Sequence, residues 1–198
     1  GDYIIVDNVY LYPINDKNNA TTVFLGDELI TDAQDRDFSA ALGSGDAECH
    51  WTAFDPDSSS VATVVSIDSA RLKTVTTTEA ADEREGCEIA MANLTAPVVG
   101  RTYRITCDMQ ATSAGFTLTV GFGGATTTQA ITTSDTTYNI DIVAADAVGT
   151  LRFYTTESTA RTWHMDNISV KEIGTASGWT DADQQLHIPQ TALQSYNE

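Results

Sequence analysis

Through most of this chain apolar residues recur at every second position, with small or polar residues between them. The stretch Phe116-Thr-Leu118-Thr-Val120-Gly-Phe122 alternates without a fault, as do Tyr138-Asn-Ile140-Asp-Ile142, Tyr103-Arg-Ile105-Thr-Cys107 and Gly149-Thr-Leu151-Arg-Phe153. Successive side chains of an extended strand point to opposite faces, so each run has one face to bury and one to show to water. Further strands are expected over 61–67, 71–76, 86–91 and 163–170. Threonine fills many of the polar positions, which suits the wet face of a half-buried strand. Asp55-Pro56-Asp57, Gly123-Gly124 and Ser134-Asp135 supply turns between the runs. Helical spacing is nearly absent. Many short alternating strands without intervening helices specify an all-β antiparallel sandwich or barrel.

The 198 residues suffice for one good-sized core with short flanks. With 28 acidic and 10 basic residues the formal net charge is −18. Such a surface repels phosphate backbones and anionic lipid, so neither nucleic acid nor membrane is an expected partner, while neutral sugars and divalent cations are compatible with it. No stretch approaches the ~20 apolar residues of a membrane-spanning helix. Cys49, Cys87 and Cys107 are odd in number and lack paired CxxC spacing, which argues against a disulfide framework or a zinc site. Cys87 shares the parity of Ile89 and Met91, and Cys107 that of Ile105 and Met109, so both read as buried strand residues. One disulfide stays open, with no pair selected.

The ends depart from the pattern. Residues 174–198 lose the alternation and carry Gly, Ser, Asp and Pro189, reading as a linker to a following module. Residues 1–24 hold one strong strand, Ile4 to Leu11, and a polar loop. Val6-Asp7-Asn8-Val9-Tyr10-Leu11 echoes Met165-Asp166-Asn167-Ile168-Ser169-Val170 at nearly a domain length. On this reading 1–24 is the closing strand of a preceding module plus a linker, and 25–173 is one complete module.

Four pieces in order carry a family resemblance. They are Glu28-Leu29-Ile30 with Asp37-Phe38-Ser39 and Trp51-Thr52; Arg71-Leu72-Lys73-Thr74-Val75; Asn93-Leu94-Thr95 with Val99-Gly100-Arg101-Thr102-Tyr103-Arg104-Ile105; and Met165-Asp166-Asn167-Ile168-Ser169-Val170. Together they resemble the jelly-roll carbohydrate-binding modules of the galactose-binding-like superfamily. The resemblance implies a jelly-roll β-sandwich that binds a polysaccharide or cell-surface glycan. It also implies a structural Ca2+ tying the opening segment to the last strand, with Asp37 and Asp166 at the matching positions. The other reading of Asp166 is a cap on a β-bulge. Thr31–Arg36 departs from the family's usual approach to the Asp-Phe pair. The tail Gly178-Trp179-Thr180-Asp181 with Ile188-Pro189-Gln190 resembles linkers of tailed-phage structural proteins. That implies neighbouring modules or virion proteins as partners, and a virion-surface or extracellular location.

No G-x-S-x-G nucleophile turn is present, and His50, His164 and His187 stand in unrelated contexts, so no enzyme is expected. A glycan site needs an aromatic platform flanked by hydrogen-bonding groups. The candidates are Trp51, Arg152, Tyr154, Trp163 and His164, with Phe54 beside Trp51 near the sandwich edge. Tyr154 and Arg152 flank core-parity Phe153 and should share the outer face; one of Trp163 and His164 faces in and the other out. Trp51 is also open to a core reading. The competing expectation is a structural spacer or decoration module with a flat, threonine-rich surface.

Overall fold

The computed structural model describes residues 24–56, 63–78, 83–148 and 150–174. Compactness divides the chain into Gly26–Ile173 and a unit made of both ends, Gly1–Leu25 with Gly174–Glu198. The expected closing strand within 1–24 and the linker over 174–198, with His187 and the phage-like tail motif, fall outside the described residues apart from positions 24 and 174.

The elements run β1 (Phe24–Glu28), α1 (Gln34–Asp37), β2 (Thr52–Phe54), β3 (Val64–Asp68), β4 (Arg71–Val75), β5 (Glu85–Ala90), a 3-10 turn (Met91–Asn93), β6 (Thr102–Ala111), β7 (Phe116–Phe122), β8 (Ala125–Ile131), β9 (Thr136–Val143), β10 (Thr150–Thr155) and β11 (Thr162–Gly174). They form two sheets. One is ordered β3-β4-β11-β6-β9, with β1 also on β11; the other is β2-β5-β10-β7-β8. The pairings among β2 to β11 are antiparallel. The chain passes between sheets repeatedly, so apart from the β3-β4 and β7-β8 hairpins the neighbouring strands are distant in sequence. This is the expected all-β, antiparallel jelly-roll β-sandwich.

The alternation sets which faces meet. Tyr103, Ile105, Cys107, Met109 and Ala111 of β6 are all buried, and Phe116, Leu118, Val120 and Phe122 of β7 face them from the other sheet. At roughly 25 cal/mol per Å2 of apolar surface, such interdigitation is the main term stabilising the sandwich. The β7–β8 hairpin closes through Gly123 and Gly124, whose φ values are +54° and +72°. A two-residue turn with both φ positive matches strand twist and suits glycine.

In β11 the alternation changes phase. Trp163 and Met165 are buried, then Ile168 and Val170, because the register against β6 shifts between Asp166 and Ser169. This β-bulge places Asn167 at φ 50°, in the left-handed region that Asn tolerates. A short helix, α1, interrupts the all-strand pattern over part of the atypical segment.

Candidate functional site

The outer face of the β2-β5-β10-β7-β8 sheet carries one constellation of aromatic and charged groups. The registers put Phe54 opposite Gly86, Gly86 opposite Tyr154, and Tyr154 opposite Thr119. In the next row Thr52 stands opposite Glu88, Glu88 opposite Arg152, and Arg152 opposite Gly121. Parity puts all of these away from the core, opposite in sense to Cys87, Ile89, Leu151 and Phe153.

Glycine at position 86 is required by close approach. A Cβ there would come within 2.0 Å of the Phe153 carbonyl oxygen and 2.6 Å of the Tyr154 Cα. The missing side chain leaves room for the rings of Phe54 and Tyr154 to meet over the strand, with centroids 5.3 Å apart and planes 57° apart. The Arg152 guanidinium lies 4.5 Å from the Phe54 centroid and its Nε donates to Glu88 Oε2 at 2.8 Å. Arg84 stands 6.0 Å from the same ring. Phe54 is consequently 7% exposed despite facing outward. Tyr154, half-buried, is the aromatic surface open to a ligand.

Beside this cluster is a shallow depression of about 130 Å3, lined by Phe54, Arg84, Thr126, Thr150, Arg152 and Tyr154 among others. It is smaller than the ~300–1,000 Å3 of pockets that enclose a drug-sized molecule, so it is an open feature of the sheet surface and not an enclosing pocket. Around it the sheet presents Thr117, Thr119, Thr126 and Thr128, a flat hydroxyl-bearing surface.

Of the five expected ligand residues, this face brings together Arg152 and Tyr154. Trp51 does not join them. It is 1% exposed, its Nε1 donates to the Asp35 carbonyl at 2.9 Å, and it packs between Phe38 and Phe153 with both centroid distances 6.1 Å. Trp163 is fully buried against Phe116, centroids 5.6 Å apart. Both tryptophans are core residues because their parity places them between the sheets, where a ring this large fills more volume than any alternative. His164 faces outward, but on the other sheet, with Nε2 3.6 Å from Asp68 Oδ2 and Lys73 Nζ 3.3 Å from the same oxygen. Phe54, an aromatic candidate near the sandwich edge, does join Arg152 and Tyr154, whereas Gly86, Glu88 and Arg84 carry no site signal in the sequence. The signal for Phe54 existed: it is an aromatic in a short strand facing the same way as Tyr154.

Asp37 and Asp166 both make local contacts. Asp37 Oδ1 accepts from the Ser39 amide and hydroxyl, which holds its carboxyl below the ordinary range. Asp166 Oδ1 accepts from the Asn167 amide at 2.8 Å, capping the bulge. Burial pushes the Asp166 carboxyl up; nearby Asp108 and Asp37 add to this against Arg71. Ca2+ takes six to eight oxygen ligands. Asp37 and Asp166 belong to no group of three acidic, histidine or cysteine ligands among the described residues. The depression that Asp37 lines has Ala33, Arg36, Asn167 and Ile168 around it and no second carboxylate. The surroundings fit a capped aspartate better than a calcium cage.

The three-ligand cluster among the described residues is Asp32, Asp35 and His50, with one ligand atom from each within 4.8 Å of the others. Asp35 is fully buried. Its Oδ1 accepts from the His50 amide at 2.5 Å and its Oδ2 pairs with His50 Nδ1 at 2.7 Å. Both oxygens are thus committed to His50, and with the Trp51–Asp35 bond they anchor the segment around α1 to the start of β2.

No protein-family model matches the sequence, and no curated protein matches it. Solved structures do resemble the fold. The BiXyn10A CBM1 module superposes with a TM-score of 0.52 at 13% identity, covering 73% of this chain and 99% of that one. The CBM22-1 xylan-binding domain of Paenibacillus barcinonensis Xyn10C gives 0.50 at 17% identity, covering 76% and 97%. The sandwich has the jelly-roll fold of carbohydrate-binding modules. An arabinose-bound α-L-arabinofuranosidase, MgGH51, gives 0.54 at 17% identity, covering 80% of this chain but 27% of the enzyme. At such identities the likeness establishes architecture, and site chemistry has to come from the residues of this chain.

Proposed function

We propose that this chain is a non-catalytic glycan-binding module whose site is the outer face of the β2-β5-β10-β7-β8 sheet. The observation that carries the reading is the Phe54–Tyr154 ring pair beside the Arg152–Glu88 ion pair, at the edge of an open depression. A sugar ring can lay its apolar face on Tyr154, while the guanidinium groups donate to hydroxyls and the threonines of β7 and β8 offer further donors and acceptors. Carbohydrate-binding modules among the structural neighbours support the same reading. We place the module in a multimodular extracellular or virion-surface protein, with Ca2+ as an accessory only where chelation alters binding.

The experiment is a glycan array followed by calorimetry on the leading polysaccharide, with calcium and again with EDTA. Tyr154→Ala should weaken binding about tenfold or more, the scale of a lost ring contact. His164→Ala, on the opposite face, should leave binding unchanged. Silence across a broad array from folded protein overturns the proposal and leaves a structural spacer.

A further inference from the structure

We infer that Gly121 is kept bare for the ligand, and that the hydroxymethyl group of a neutral hexose polymer enters the depression above it; the inference rests on the glycan-binding reading and names its substrate class. Gly121 stands on the outward face of β7, opposite Arg152 on one side and Thr126 on the other. Neither backbone nor packing accounts for a glycine there. Its φ is not positive, unlike those of Gly123 and Gly124. A Cβ would meet Thr126 Cγ2 at 3.6 Å and Arg152 Cβ at 3.8 Å, which are ordinary contacts. Gly86, by contrast, has no room for one. The preceding outward positions of β7 are Thr117 and Thr119, so threonine is the residue this face uses elsewhere. Glycine in a strand interior weakens the strand, and here that weakness falls where Gly121 lines the depression.

The lining specifies what enters. β7 pairs with β10 and β8 on either side, so the peptide groups at Gly121 lie in the plane of the sheet and turn no donor or acceptor toward a ligand. That floor takes a carbon. Thr150 lines the same depression, and its Oγ1 is enclosed with no hydrogen-bond partner among the described residues. An enclosed hydroxyl without a partner is destabilising; χ1 rotation between staggered wells lets it meet a ligand hydroxyl, which both donates and accepts. An apolar floor with one open hydroxyl beside it matches a methylene that carries a hydroxyl, which a hexopyranose ring bears and a pentopyranose ring lacks. Tyr154 and Gly121 are diagonal neighbours across β10 and β7. Such positions are about 7–8 Å apart, within reach of a substituent on a ring seated on Tyr154. The Arg152 charge is matched by Glu88 at 2.8 Å, in keeping with an uncharged ligand.

The test is calorimetry with the full chain against the leading polymer of the glycan array and against β-1,4-glucan and β-1,4-xylan oligomers of equal length, which differ at each ring by the hydroxymethyl group alone. The expected result is that the leading polymer is a neutral hexose polymer, bound about tenfold or more tighter than xylan, the scale on which a site separates ligands differing by one small group. Gly121→Thr should weaken that polymer about tenfold, while Tm stays level or rises by about 2 °C, because threonine suits a strand better than glycine. Thr150→Val should weaken the hexose polymer and leave xylan unchanged. Xylan bound as tightly as the hexose polymer, a leading polymer that is charged or lacks hexose, or Gly121→Thr binding as wild type does overturns the inference while the glycan-binding reading stands. A lowered Tm in Gly121→Thr shows that the glycine serves the fold and overturns it as well. Failure of the folded wild-type chain to bind any glycan on the array or in calorimetry sinks the glycan-binding reading, and this inference with it. The hexose and xylan comparison uses the wild-type chain, so it does not depend on a variant folding.

Discussion

Arg152 and Tyr154 could be picked out by parity, since they bracket Phe153 and must face away from the core. Their contacts could not. Phe54 and Glu88 lie 98 and 64 positions upstream of Arg152, and only the β2-β5-β10 register makes them neighbours. His50 is a parallel case. It reads as an isolated histidine until the fold sets it on the buried Asp35, 15 residues earlier. Its pKa is raised, chiefly by the hydrogen bond to Asp35, with Asp32 and Asp46 adding attraction against partial desolvation. The unfolded value is about 6.5. A raised folded pKa contributes stability that is fully present below the unfolded value and lost as pH rises through the folded one. Urea denaturation of wild type and His50→Gln should therefore differ most between about pH 5 and 6.5 and converge above the folded His50 pKa. A constant gap from pH 5 to 9 would show that the ring contributes packing and a neutral hydrogen bond alone.

Among the elements, β11 shows how one inserted residue changes a reading. Strict alternation from Trp163 would send Asn167 to the core and Ile168 to solvent; the bulge reverses both, so that Ile168 is 1% exposed. The motif Met165-Asp166-Asn167-Ile168 signals that bulge only through Asn, which accepts positive φ. Asn167 Nδ2 also donates to Asp108 Oδ2 at 2.9 Å, tying the bulge to β6. Asp166 stands directly across from Asp108, an unfavourable like-charge pair. With its pKa raised, Asp166 adds stability only where it is protonated, and that stability is lost as pH rises through its folded pKa. Asp166→Asn should then stabilise the protein by about 0.5 kcal/mol near pH 7 and by nothing below about pH 3.9. Thermal unfolding in EDTA checks this, and a calcium-dependent loss of stability in the variant would instead mark Asp166 as a metal ligand. β8 was the strand least legible in sequence. Its inward positions include Thr127 and Gln129, so an edge strand of real register has almost no hydrophobic period.

Over the whole molecule the two sheets close on one core, and the three thiols report on its integrity. Cys49, Cys87 and Cys107 are free and buried. Burial pushes Cys49 and Cys87 up to about 12 and raises Cys107 as well. The thiolate is the reactive form. A maleimide should label none of the three at neutral pH in folded protein and all three in urea, with labelling tracking the unfolded fraction; mass spectrometry of the intact chain reads the count. Rapid labelling without denaturant would mean that the core opens locally. The all-β class, the inward parity of strands such as β6 and β7, and the burial of Cys87 and Cys107 follow from nearest-neighbour chemistry, because a period of two residues is a local property of the chain. Which strands pair is not local. The same inward-facing pattern would suit many strand orders, and loop closure and sheet packing choose one. That choice put both tryptophans in the core and His164 on the far sheet. It also assembled Phe54, Gly86, Glu88 and Arg152 from three separate strands into the face that a ligand can meet.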